Sequence, residues 1–255
     1  MNKVRFIIFL SALCLSGGGC GDGLLNGDEE IEGLSLTVGI VWPGVSDAYI
    51  YPVGPFQSHD EFMKAQQIPS NRLSRMSTPG VIHSFVNAPG LPGLFLTSSA
   101  SPVETFYRMY DEQFNSAREI LRRSYSGEAL LAFYKSIAWE CTASMDEAEQ
   151  WYFSIRLRAL ECMFTRGEIL RQFSLKGKKN IVKQVLSNYK QLPNRLPEET
   201  SDALTVLALI MYDARYAPLV SYYKNSDAGI ENPSDFYVFT NQESNIIAFA
   251  ESFIK

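Results

Sequence analysis

Two histidines in 255 residues leave little material for a metal centre or a proton-shuttling site. Neither His59 nor His83 lies in an H-E-x-x-H helix, and neither has a second histidine three or four positions away to share a metal. His59 falls in a helix-capping sequence and His83 in an apolar run, so structural roles are expected for both. The chain also lacks a G-x-S-x-G elbow, a Walker loop, a dinucleotide fingerprint and a calcium-loop pattern. No cofactor or metal site is therefore expected, and no catalytic residue is assigned. Basic charge is scarce too. The net charge is −5, which argues against nucleic acid as a partner, since phosphate backbones reward basic surfaces. A lysine cluster at Lys176, Lys178, Lys179 and Lys183 reads as the solvated start of a helix.

Cysteine is sparse, with four in all. Cys14 sits in an apolar leader, leaving Cys20, Cys141 and Cys162. If the last two flank a helical hairpin whose turn lies near Ser144, the 1.5 Å rise per residue sets them roughly 20 Å apart. A disulfide requires Cα atoms within about 7 Å, so both are read as buried thiols. Long apolar runs are missing downstream of the leader. The best, residues 204–211, has the length of a buried helix and falls short of the ~20 residues of a span.

The leader itself is the sharpest feature. Lys3 and Arg5 precede an apolar run over residues 6–15, followed by Ser16-Gly17-Gly18-Gly19-Cys20. A basic head, a short apolar segment and small residues before the cleavage point describe a secretory signal. Its ending on a cysteine resembles a bacterial lipoprotein signal, with Cys20 as the lipidation site. Such signals usually carry Leu three residues before the cysteine, where this chain has Gly17. Plain secretion after cleavage near Gly19 is the alternative. Losing Lys3 and Arg5 with the leader takes the net charge from −5 to −7.

Residues 1–19 are thus expected to be a signal peptide and residues 20–33, glycine-rich and acidic, a flexible tether. Residues 34–255 form one helical domain with an extended segment at 34–55, where apolar residues at 34, 36, 38, 40 and 42 alternate as in a strand. Past Ser58 the pattern is helical. Ser58-His59-Asp60-Glu61 and Ser144-Met145-Asp146-Glu147 fit capping boxes. Ser101-Pro102-Val103-Glu104 starts a helix with proline at its first position, and Val103, Phe106, Tyr110, Phe114, Ala117 and Leu121 continue it on one face. Further helices are expected around residues 130–141, through Trp151 to Phe164, 181–189, 203–212 and 246–253. The fold class is mainly α, an irregular antiparallel helix stack. The helix starts at Ser101 and Ser144 are 43 residues apart, near the ~40–47-residue period of paired-helix repeats, but their segments show no convincing self-similarity. An α-α superhelix is thus only an alternative.

Aromatics cluster at Trp139, Trp151, Tyr152 and Phe153, and again at Tyr216, Tyr222 and Tyr223. A stripe at helical spacing reads as core; exposed, it would suit a sugar or a partner protein.

Gln67-Ile68-Pro69, Leu73 and Met76-Ser77-Thr78-Pro79-Gly80-Val81-Ile82, with Phe114-Asn115, Glu119-Ile120-Leu121-Arg122-Arg123 and Leu130-Leu131 before Tyr134, resemble a family of exported proteins of Bacteroidetes. The stretch from Leu157 to Tyr189 continues the likeness, which covers roughly residues 62–223. Ala88-Pro89 departs from the Tyr-Pro those relatives often carry. The resemblance implies export and an all-helical body; the family has no assigned activity and no catalytic residues to carry over. The expected function is a non-enzymatic envelope or surface lipoprotein, a scaffold for a protein or polymer partner, bound to a membrane through its N-terminal lipid. A peptidoglycan- or glycan-acting hydrolase, or an accessory subunit of an outer-membrane assembly, are the alternatives.

Overall fold

A computed structural model describes residues 40, 42–52, 54–92, 113–137, 147–191, 197–211 and 243–255. Of these, 71% are helical and none is in a strand, so the protein is mainly α. The leader, the tether and most of the alternating segment 34–42 lie outside the described residues. So do Cys141, the Ser101 start and Ser144.

The first helices follow local capping chemistry. In α1 (His59–Ala65), Ser58 is extended and its Oγ accepts the Glu61 amide at 3.2 Å. The Glu61 carboxylate accepts from the Gln57 amide at 2.7 Å, one residue earlier than a capping box requires. Pro69 opens the single turn α2 (Ser70–Leu73). Ser77 then caps α3 (Thr78–Val86), its Oγ accepting from the Gly80 amide at 3.0 Å, with Pro79 in the first turn.

The next helix corrects an expectation. A continuous face from Val103 to Leu121 is broken at Phe114, which is extended at φ −131°, and α4 (Asn115–Arg122) starts after it. The break has a cause in polar chemistry. The Asn115 side chain takes both backbone groups of Ile68, at 3.0 and 2.7 Å, while the Gln67 amide receives the Asn115 N–H and donates to the Gln113 carbonyl. Backbone groups left open by the break are thereby satisfied.

Then come α5 (Ser126–Ser136), the long α6 (Glu147–Thr165), the single turn α7 (Gly167–Leu170), α8 (Leu175–Gln191), α9 (Pro197–Met211) and α10 (Glu243–Phe253). Two helices are central. Val81, Ile82, Phe85 and Val86 of α3 are fully buried beneath α4, α5 and α6. In α9 every residue from 203 to 211 is buried, between α6, α8 and α10. A helix apolar on all faces belongs inside, and each such Leu, Ile or Phe contributes roughly 1.5–3 kcal/mol.

An extended segment, residues 42–52, crosses α3. Trp42 stacks on Phe133 with ring centroids 4.8 Å apart, and the Tyr49 amide donates to Ser84 Oγ at 2.7 Å. Two anchors, Ile40 just ahead of this segment and Asp47 within it, grip opposite ends of the helix. Asn87, just past α3, pairs its amide with both backbone groups of Ile40 at 2.9 Å, and Asp47 accepts from Ser77 at the start of α3.

Repetition appears at the helix starts. Ser77–Gly80, Ser124–Gly127 and Ser174–Gly177 all read S-x-x-G, and each introduces one of α3, α5 and α8. In each case a short helix (α2, α4 or α7) comes just before. Gly177 N–H reaches Ser174 Oγ at 3.3 Å, as Gly80 does Ser77. At the middle turn the Gly127 N–H turns instead to Gln172 Oε1 of the next turn, at 2.8 Å. The spacings, 47 and 50 residues, lie at and just beyond the ~40–47-residue period of paired-helix repeats. Three helix–turn–helix units therefore stack turn upon turn.

Candidate functional site

The stacked turns form one continuous column. Arg123, in the second turn, sends Nη1 to the Met76 carbonyl at 2.8 Å and Nη2 to the Leu73 carbonyl at 3.1 Å in the first. Gln172, in the third, donates to the Arg123 carbonyl at 3.3 Å and to Ser126 Oγ at 3.2 Å. Phe173 fills the remaining gap: a Cβ on Gly127 or on Gly177 would stand 2.7 Å from its ring. The close approach explains why both positions lack a side chain.

The outer side of the column is basic. Residues 70–77, 122–127 and 171–177 contain no Asp or Glu. Arg123 is committed inward and to Glu119 at 2.8 Å. Arg72, Arg75, Arg122, Arg171 and Lys176 are exposed. Across the rest of the sequence the balance is reversed, since the whole chain carries −5 and has no Lys or Arg between Arg5 and Lys64. Two of the largest exposed apolar side chains sit among these cations: Tyr125, 77% exposed, and Leu175, 62% exposed. Tyr125 also holds a left-handed backbone, φ 67°, which costs a non-glycine residue about 1–2 kcal/mol.

At the first turn the column ends in an open cavity of about 280 Å³ lined by Asp47, Asn71, Arg72, Arg75 and Met76. The Arg72 guanidinium lies 5.0 Å over the Tyr49 ring and donates to the Ala48 carbonyl at 3.3 Å, so it is held in place. Arg75 has no side-chain partner among the described residues. Asp47 is already engaged, accepting from the Ser77 amide at 2.5 Å and hydroxyl at 2.9 Å. Partial burial pushes its carboxyl up, but the Ser77 amide and hydroxyl and the charge of Arg123 outweigh this and hold it below the usual aspartate value. A carboxylate tied down in this way suits clamping better than proton transfer. The cavity offers an anion the guanidinium forks of Arg72, partly committed to Ala48, and Arg75, beside an Asp47 carboxylate held by Ser77.

The other sequence candidates fall elsewhere. Cys20 lies outside the described residues, as do Trp139, Tyr216, Tyr222 and Tyr223. Cys162 is in the core at 1% exposed, and Phe153 is buried there as expected of a core stripe. His83 is half-buried, its ring nitrogen 3.4 Å from the Asn87 amide, and burial pulls its pKa down. Lys176 does sit at a helix start, exposed, and belongs to the column as well. The described interior holds two charged residues of α6. Arg156 donates to the Val86 carbonyl at 2.7 Å, and burial pushes its pKa down to about 10. Glu161 accepts from the Tyr134 hydroxyl. Both are buried away from the cavity.

Among the described residues no group of His, Cys, Asp and Glu could hold a metal ion, and no helix is long and apolar enough to cross a membrane. Sequence reading missed the column because its signal, S-x-x-G recurring before a helix, is short and separated by dissimilar segments. Compared with known proteins, the chain matches no family model, no curated protein and no solved structure.

Proposed function

We propose that this protein is an exported, lipid-anchored binding module of the bacterial envelope, a helical-repeat scaffold that engages its partner through the basic column. The observation that carries this reading is the concentration of five exposed cations on three stacked turns of a chain with net charge −5. Such segregation is unneeded for folding, because exposed charges contribute little to stability. One further feature supports it. Cys20 and the acidic spacer after it suit acylation and reach, and stable anchoring requires more than one acyl chain.

A photo-reactive phenylalanine in place of Tyr125, in the full chain in intact cells, tests the reading. The expected product is a membrane-associated adduct. It disappears when Arg75, Arg122 and Arg171 are all changed to Gln, and leaves the membrane fraction when Cys20 is changed to Ser. Absence of any adduct, or one indifferent to the arginines, would overturn the reading.

A further inference from the structure

We infer that the column recognises an extended acidic segment of a partner protein, roughly one carboxylate per repeat, with a terminal acidic side chain seated in the cavity between Arg72 and Arg75. This rests on the binding-module reading and names the class of partner.

The argument begins with spacing. α3 packs on α5, and α7 on α4 and α5; packed helices lie about 8–10 Å apart, which sets successive turns at roughly that interval. An extended strand advances about 3.3 Å per residue, and every third residue therefore returns at about 10 Å. A peptide with an acid at every third position can meet Arg75, Arg122 and Arg171 in turn without bending.

Composition separates a protein partner from a glycan or a lipid surface. Four of the five exposed cations are arginines, whose planar forks take carboxylates bidentately. The same turns carry the exposed Tyr125 and Leu175 and no Asp or Glu of their own, and the carboxylate that Asp47 brings to the cavity is taken up by Ser77. Arginine and tyrosine enrichment with acid depletion is the composition of protein-interface anchors. A membrane surface attracts lysine and arginine alike, so it gives no reason for the preference for arginine forks.

The test uses the full chain with Cys20→Ser and fluorescence anisotropy of a labelled peptide of six Glu-Gly-Ser triplets. Comparison probes are the same residues with the glutamates in one block, a Gln-Gly-Ser triplet peptide, polygalacturonate and phosphatidylglycerol vesicles. The triplet peptide is expected to bind best and to weaken as salt rises. Changing Arg75, Arg122 and Arg171 to Gln should weaken it by about tenfold or more, and changing the same three to Lys should restore only part. Unchanged circular dichroism of the variants separates this loss from unfolding. Equal binding of the blocked peptide, tighter binding of polygalacturonate or vesicles, or indifference to the arginine changes would overturn the inference. If the Tyr125 adduct forms while the triplet peptide does not bind, only the acidic-segment inference falls. If neither is seen, the binding-module reading falls with it.

Discussion

Asn115 closes both backbone groups of Ile68 with one side-chain amide, accepting its N–H at 3.0 Å and donating to its carbonyl at 2.7 Å. Asn87 does the same to Ile40, and in both cases the partners are 47 residues apart. The amide thus substitutes for a neighbouring strand where the chain passes between units. Changing Asn115 to Ala leaves two partly buried groups unpaired, which costs about 1–3 kcal/mol each at most. The expected result is a thermal midpoint lower by several degrees, at about 2–4 °C per kcal/mol for a domain of this size. Changing Asn115 to Asp keeps the acceptor but loses the donor, and should fall between. Indifference in calorimetry would show the pairing to be decorative.

Gly80 is expected to resist enlargement for a reason outside its helix. A Cβ there would meet the Asp47 carboxylate, 2.7 Å from Cγ. Alanine normally stabilises a helix over glycine by up to about 1 kcal/mol. Changing Gly80 to Ala should instead lower the thermal midpoint, by displacing the carboxylate from Ser77. Adding Asp47→Ala to it should recover part of the loss, a coupling that a double-mutant cycle measures. Simple additivity would contradict the close approach.

The same clamp has a pH signature. The Asp47 carboxyl is held below its unfolded value near 3.8, so the folded state binds its proton less readily. Its contribution is therefore complete above that value and is lost as pH falls through the folded one. The stability difference between the wild type and Asp47→Asn, followed by thermal melting from pH 7 to 3, should be constant at first and shrink below about pH 4. A difference that grows on acidification would reverse the assignment.

Much of this architecture was legible in the residues. Ser58 and the nearly all-apolar run at 203–211 located α1 and α9, because capping oxygens and all-round hydrophobicity are local signals. The break at Phe114 was hidden, since its cause is a pair of amides reaching across to residues 67 and 68. The basic column was hidden for a related reason. Its arginines are scattered over residues 72–171 and become neighbours only when Arg123 and Gln172 tie the turns together. Net charge recorded their sum with all the acids, and so pointed away from them.

Tyr125 joins stability to binding in one residue. Its left-handed backbone, φ 67°, disfavours a side chain, and its ring is 77% exposed, so little packing offsets the strain. Glycine adopts this conformation without that cost, although its freer unfolded chain gives some of the gain back. Changing Tyr125 to Gly should therefore raise the thermal midpoint, by a few degrees for a gain of about 1 kcal/mol. The same change should weaken the acidic triplet peptide severalfold, because an exposed aromatic beside arginines is where interface energy concentrates. Strained residues that persist without local compensation gather at functional sites, and opposite signs in the two assays are what that requires. A variant both more stable and equally able to bind would remove Tyr125 from the column's working surface, leaving the arginines to act without it.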